Sequence, residues 1–386
     1  MILLKKFLNK SFSKLAPNCT ITNSMIADVI QTAAMTQDFL ENTTKKLGNK
    51  PNADIIFKRI KEVDIETFKL AFIFILEFMI KQVKQKYNKR EWTIAIDTHY
   101  EPFYGNSKGL WIHGYKPKGC KDCNGSYCYI TIAIVIGQEQ FTLMASPVML
   151  GQNKADMVEE LITVAKKNLK IKLVLLDRGF DSGAVTRRLK QMGIKHIIFC
   201  RRNDKIKEFL EKTPAFSHRY FYDMIEWTED KSTQREPTKY LIIKDYVDLK
   251  TFKIYDWTFI INLSNVDAIS YVYIYKRRWC IENTYKQFNA FKIKTASVDF
   301  IVRYFFFLFR VLLYNLWKFY NAVMNTATTF KEFVFILFLS TVDVDHVSRC
   351  KEMVNKFVNK LHYPIEQSIF VCLNQHTNVF LITNFL

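Results

Sequence analysis

At 386 residues the chain is long enough for one large domain and one or two small ones. Hydrophobic residues make up 49%, which excludes wholesale disorder. A net charge of +19, from 56 Lys+Arg against 37 Asp+Glu, points to a polyanionic partner, nucleic acid before an anionic membrane surface.

The first 88 residues read as helical. MILLKKFLNKSFSKL lacks the long apolar run and cleavage site of a secretory leader. Leu4, Leu8, Phe12 and Leu15 instead follow helical spacing between lysines, a short basic amphipathic helix. Pro51 and Asn52 open a segment in which Ile56, Phe57 and Ile60 take one face and Lys58, Arg59 and Lys61 another. A helix, a turn near Val63–Asp64 and a longer helix make either a small DNA-binding bundle or an ordinary hairpin with a solvated basic face.

From Glu91 the pattern changes. Trp92, Ile94 and Ile96 alternate with Thr93 and Ala95 in a strand expected to stop at Asp97. YCYITIAIVIG and FTLMAS, joined by a turn at 137–140, complete three antiparallel strands. Asn153 is placed to cap a helix whose apolar face is Met157, Leu161, Ile162 and Ala165. The buried strand KLVLLD ends at Asp177, and a helix (Ser182 to Met192) and the strand HIIFC follow. This order, β-β-β-α-β-α-β, puts a carboxylate at the end of the first and the fourth strand.

Residues 203–268 read as a β-rich insertion, followed by a helix over 268–292 and an apolar helix over 300–324. Arg303, Arg310 and Lys318 interrupt the last, so it is expected to be buried in protein and not to span a membrane. Residues 326–386 form a tail expected to be mostly helical. Eight scattered cysteines suit reduced thiols in a cytosol. Only Cys120 and Cys123 have metal-ligand spacing, and Cys128 with a distant histidine makes a poor second pair for zinc.

On the 268–292 helix, Tyr275, Arg278 and Glu282 stand at offsets of three and seven, which share one face at about 100° per residue. Taken alone, a carboxylate beside an arginine is an ordinary surface ion pair. Two strand-end aspartates with a helical glutamate, however, can converge on a pair of divalent cations.

IDTHY at 96–100, LLDRGFD at 175–181 and YKRRWCIE at 275–282 resemble, in that order, the motifs of the DDE transposases of prokaryotic insertion sequences. The matching branch carries a Tyr-Arg-Glu-Lys signature, and the resemblance covers roughly residues 90–325. It implies a mixed α/β fold. A ribonuclease H-like core (β-β-β-α-β-α-β-α) would occupy residues 89–325, with the 203–268 insertion before the catalytic Glu helix. Residues 1–88 would be a helical DNA-binding domain. It implies Asp97, Asp177 and Glu282 as catalytic residues holding two Mg²⁺ (or Mn²⁺) ions, with Tyr275 and Arg278 at the DNA.

The signature's lysine falls seven residues after the glutamate, where this chain has Asn289. Lys286 lies one turn after Glu282 and can substitute, or Asn289 keeps a neutral phosphate contact, or the copy is decayed. Arg178 either contacts phosphate or pairs outward. His99 shares the face of Asp97 and is either a ligand or phosphate contact, or a polar residue at the cleft edge. Trp227 and Trp257 are either core or a stacking surface for a flipped base.

The function implied is metal-dependent hydrolysis at the terminal inverted repeats of an element and strand transfer into target DNA. The partners implied are transposon-end and target DNA and a second copy of the chain in a synaptic complex, with no membrane and a cytoplasmic, nucleoid-associated location. The alternatives are a ribonuclease H-like nuclease that cuts without joining and a retired, DNA-binding derivative. A membrane-surface protein is the remaining reading, resting on the basic first helix.

Overall fold

The structure is a computed structural model that describes residues 2–12, 20–48, 51–106, 109–137, 139–263 and 267–339. Leu15 and tail residues 340–386 lie outside the described residues, as do Cys19, Cys350 and Cys372. The chain divides into two compact units. One holds residues 1–87 together with the described residues from Gln287 onward, and the other holds Asn88–Lys286.

In the first unit, several helices begin where a side chain satisfies an open N–H group. The helices are α1 (Ile2–Ser11), α2 (Asn23–Thr36), α3 (Leu40–Leu47), α4 (Ala53–Lys61) and α5 (Ile65–Tyr87). Thr22 caps α2 by accepting the Met25 N–H at 3.2 Å, and Asn52 caps α4 through Ile55 at 3.0 Å. The turn expected near Val63–Asp64 is present, with Asp64 accepting the Thr67 N–H at 2.7 Å.

The second unit carries the sheet. Its first part comprises β1 (Trp92–Phe103), β2 (Ile112–His113), β3 (Gly125–Ile136), β4 (Glu139–Pro147), α6 (Lys154–Asn168), β5 (Ile171–Leu176), α7 (Gly183–Gln191) and β6 (His196–Phe199). Then come α8 (Asp204–Glu211), β7 (His218–Glu229), β8 (Ser232–Val247) and β9 (Ile254–Ile261). Among the described residues nine strands form one sheet in the order β2-β3-β1-β5-β6-β9-β8-β7, with β4 also on β3. β1, β5 and β6 run parallel and the other pairings are antiparallel, a mixed α/β architecture. Every residue of β3 is buried, as expected of an Ile-rich strand covered on both faces.

Two expectations need correction. The strand through Asp97 does not stop there. β1 continues to Phe103, because β3 remains its partner after the shorter β5 has ended. The insertion does not merely interrupt the scheme either. β9 pairs antiparallel with β6, so β9, β8 and β7 extend the same sheet.

The helix expected over 268–292 is built in pieces. α9 (Ala268–Lys276) leads through a 3₁₀ turn at Arg277–Trp279 into α10 (Cys280–Phe288), and a second 3₁₀ turn covers Asn289–Phe291. In the helical unit, α11 (Phe300–Met324) and α12 (Phe330–Leu339) follow. α11 is long and apolar enough to cross a membrane, but 83% of its most apolar stretch is buried within the protein, which makes it a core helix. Phe7 and Phe12 pack on its Phe305 with ring centroids 6.0 Å apart. The apolar stripe of α1 is therefore used inside the fold, which removes the basis of the membrane-surface reading.

Candidate active site

The site is set by strand register. In the parallel β1–β5 pair Ile96 stands opposite Leu176, the last residue of β5. One residue further on, Asp97 within β1 and Asp177 just past the end of β5 stand side by side. Asp97 is buried, because β1 continues past it, and its Oδ1 accepts the Thr98 N–H at 2.8 Å. Asp177 begins a 3₁₀ turn over Arg178–Phe180 and keeps about a third of its side chain exposed.

The third wall is the α9–α10 segment. Asp267 caps α9 by accepting the Ser270 N–H at 3.2 Å. Tyr275 is fully buried, its ring packed on Phe259 (5.1 Å), Phe199 (5.6 Å) and Trp257 (6.0 Å). The 3₁₀ turn after α9 does not scatter the Tyr-Arg-Glu set, since Arg278 reaches both of the others. Its Nε donates to Tyr275 Oη at 3.0 Å and its Nη2 to Glu282 Oε1 at 3.1 Å. Nη1 donates to Asp97 Oδ2 at 3.0 Å, and Nη2 stands 3.7 Å from Asp177 Oδ1. Tyr275 Oη donates to Asp177 Oδ1 at 3.4 Å. The two aspartates and the glutamate thus meet at one guanidinium.

Electrostatics follow from this burial. Desolvation, the largest influence, lifts the Asp97 carboxyl to about 7. Arg278 opposes the rise, while Asp177 and Glu282 add to it. Burial likewise pushes the Tyr275 phenol far above its ordinary value. It also works against the charge on Arg278, yet Tyr275 and the carboxylates together outweigh it and hold that proton more firmly than usual.

The other expected residues are placed less centrally. Arg178 is exposed and lies over the Phe199 ring at 5.0 Å. His99 packs against the Tyr285 ring at 4.6 Å and faces Glu101 at 4.0 Å. Lys286 is exposed on the last turn of α10. Asn289 is also exposed, and its carbonyl accepts the Gln37 side chain at 3.1 Å. Trp227 packs on Gly183, and Trp257 is buried in the cluster around Tyr275. Cys120 and Cys123 are free thiols.

Sequence reasoning missed two supports. Tyr285 shares a 2.6 Å hydrogen bond with Thr131, the residue directly opposite Asp97 on β3, and so ties α10 to the strand pair. Its position three residues after Glu282 was the available signal. Lys276 pairs with Asp248 in the β8–β9 turn, a contact between distant segments that no local pattern announces.

The donor set suits a hard divalent cation, being three carboxylates with oxygen alone. Burial and the neighbouring Asp177 and Glu282 disfavour the charge on Asp97, and a divalent cation at these oxygens would favour it. Among the described residues no three His, Cys, Asp or Glu side chains already stand as a ready metal cluster.

Comparison with known proteins adds the following. The family model described as "Transposase DDE domain" matches residues 91–316. A search of curated proteins gives no match. Among solved structures, a piggyBac transposase synaptic complex with hairpin DNA aligns with a TM-score of 0.55 at 11% identity, covering 98% of this chain and 84% of that one. A Drosophila P element transposase strand transfer complex aligns with a TM-score of 0.25 at 11% identity, over 43% of this chain and 36% of that one. The first likeness shows a common fold, and the second is too slight to bear on it.

Proposed function

Because the chain belongs to the transposase DDE domain family, we propose that it is a DNA transposase. It binds the terminal inverted repeats of its own element, hydrolyses a phosphodiester at each end and joins the freed 3′-OH to target DNA. The observation that carries this reading is the meeting of Asp97, Asp177 and Glu282 around one buried arginine, inside the span matched by the family. The sub-order β4-β3-β1-β5-β6, with β1, β5 and β6 parallel, suits a ribonuclease H-like core. The insertion sequence origin and the Tyr-Arg-Glu-Lys branch belong to the same proposal.

In this reading Asp97, Asp177 and Glu282 are the catalytic residues and would hold two Mg²⁺ or Mn²⁺ ions. Such ions, when bound, supply Lewis acidity to the attacking and leaving oxygens. The chain's own part is placement. Register fixes Asp97 and Asp177 as neighbours, and the Thr131–Tyr285 hydrogen bond holds α10, with Glu282, against β3. Asp177 and Glu282 keep exposed carboxylate surface toward an incoming strand. Arg178, Lys286 and Asn289 are accessible to phosphate, and the basic faces of residues 1–87 serve DNA-end binding. Joining two ends calls for two copies of the chain, as a homodimer on DNA. The piggyBac neighbour, itself a synaptic complex with hairpin DNA, supports that arrangement. The protein then acts in the cytoplasm, on the nucleoid.

The test is Asp177→Asn on labelled DNA carrying the repeats that flank the gene. The substitution is nearly isosteric and removes one anionic ligand. The variant should still shift the DNA in a gel and lose nicking in Mg²⁺ by about a thousand-fold or more, the scale of losing a charge-stabilising group. Wild-type-like nicking at equal stability would make Asp177 a structural residue and end this reading. Cleaved ends that never join supplied target DNA would favour the nuclease alternative.

A further inference from the structure

The connection from the end of β1 to the start of β3, residues 104–124, carries Cys120-Lys121-Asp122-Cys123, which has no part in the site described above. A turn brings the two cysteines together. Gly119 supplies a left-handed backbone (φ +84°) before Cys120, and the Cys120 N–H donates to the Pro117 carbonyl at 3.1 Å. Cys123 Sγ then donates back to the Cys120 carbonyl at 3.6 Å. Asn124, the next residue, ties the turn to the end of β1. Its N–H donates to the Phe103 carbonyl at 2.8 Å and its side chain to the Gly105 carbonyl at 3.1 Å.

The two thiols are unequal. Cys123 is buried, whereas Cys120 keeps part of its surface open and donates to Tyr104 Oη at 3.4 Å. Hydrogen bonding from the Cys123 thiol, and next from Tyr104, favours the Cys120 thiolate and lowers its pKa. Cys123 is raised, chiefly because it shares its proton with Cys120. Burial pushes Cys128 up to about 12 and raises Cys200 and Cys280. Among the described residues, then, Cys120 is the thiol best placed to react. Lys116, Lys118 and Lys121 are exposed on the same connection and suit an anionic reagent.

An accessible, acidified thiol with a buried partner two residues on allows one cysteine to attack and the other to resolve. Zinc would need two further ligands, and the described residues bring no third His, Cys, Asp or Glu to the pair. We propose that Cys120 and Cys123 form a redox site that exchanges a small anionic disulfide of the glutathione class for an intrachain Cys120–Cys123 bond. The Cys120 thiolate attacks one sulfur of RSSR, forming Cys120–S–S–R and releasing RS⁻, which takes up the proton that Cys120 lost. Cys123 then loses its proton, attacks the Cys120 sulfur and expels the second RS⁻, which takes that proton. Two protein thiols are oxidised to one disulfide while RSSR is reduced to two RSH. Both cysteines are free thiols here, the reduced end of the cycle, as suits a transient disulfide in a reducing compartment. The pair uses none of Asp97, Asp177 and Glu282, so it stands or falls apart from the transposase reading.

The experiment treats the full-length wild type, Cys120→Ser and Cys123→Ser, each first reduced, with glutathione disulfide. Remaining thiols are then alkylated and the peptides mapped by mass spectrometry. The wild type should give a Cys120–Cys123 disulfide that dithiothreitol reverses. Cys123→Ser should stop with glutathione on Cys120, and Cys120→Ser should leave Cys123 unmodified. Cys123→Ala supplies the measurement if the buried serine prevents folding. In a brief iodoacetamide pulse on the reduced wild type at neutral pH, Cys120 should react at least about ten-fold faster than Cys128 or Cys200. Glutathione that persists on wild-type Cys120 would make it an ordinary surface thiol and overturn the proposal. Glutathione on Cys123 in Cys120→Ser, or equal alkylation rates, would overturn the assigned order of attack and the proposal with it. One zinc held by the reduced wild type and lost in both serine variants would make the pair a metal site instead.

Discussion

β3 and β7 are both 12-residue strands of one sheet, yet every residue of β3 is buried while β7 leaves Tyr222 75% and Met224 44% exposed. β3 lies between β1 and β4, whereas β7 is an edge strand with one covered face, where Phe221 stacks on Tyr240 at 4.8 Å. The difference separates two duties. The doubly covered part around β1 and β5 holds Asp97 and Asp177, whose spacing depends on a register that cannot slip without turning buried residues to water. The extension is tied in at its root, where Trp257 and Phe259 of β9 pack on Tyr275, and along α7, where Trp227 meets Gly183 and Glu236 pairs with Lys190. Its outer face has no such constraint.

The largest break in this comparison should come from the covered part. Ile132 is fully buried in β3, opposite Ile96 on β1 and Met144 on β4. Ile132→Ala removes three buried carbons and leaves a cavity, and should cost about 3 to 4 kcal/mol in urea unfolding. A cost below about 1 kcal/mol would show that β3 repacks freely and that the contrast with β7 is only one of exposure.

The sequence made the two parts unequally legible, for physical reasons. KLVLLD and TIAID are short apolar runs, so both aspartates were visible as residues leaving a core. The extent of β1 was not, because THYEPF is mostly half-buried and shows neither clean alternation nor a continuous apolar run. The sharing of a face by Tyr275, Arg278 and Glu282 was legible from spacing, although the intervening 3₁₀ turn was not. The burial of Arg278 was hidden, since local sequence does not show that two aspartates from distant strands reach it. The β6–β9 pairing that joins the insertion to the sheet is likewise a long-range contact with no local signal.

A smaller effect should come from the joint between the parts. A Cβ on Gly183 of α7 would collide with the Trp227 ring of β7, so the glycine allows an approach that no other residue permits. Gly183→Ala should therefore destabilise by about 1 to 3 kcal/mol through overpacking, despite alanine's better helix propensity. Denaturant unfolding checks this. A neutral or stabilising result would mean that Trp227 moves aside easily and that the extension is hinged at this point.

The smallest effect belongs to the outer face itself. Tyr222 stands opposite Lys239 on β8, whose ammonium lies 5.9 Å from the Tyr222 ring and closer, at 4.8 Å, to that of Tyr220. An exposed cation–π contact is worth about 0.5 to 1 kcal/mol, and here the lysine keeps its nearer ring when Tyr222 is removed. Threonine preserves the preference for strand backbone, so Tyr222→Thr isolates the loss of the ring. The expected change in unfolding free energy is below about 0.5 kcal/mol, the range of surface substitutions away from packed features. A loss of about 2 kcal/mol or more in urea unfolding would require the ring to be covered in solution, and β7 would then resemble β3 after all.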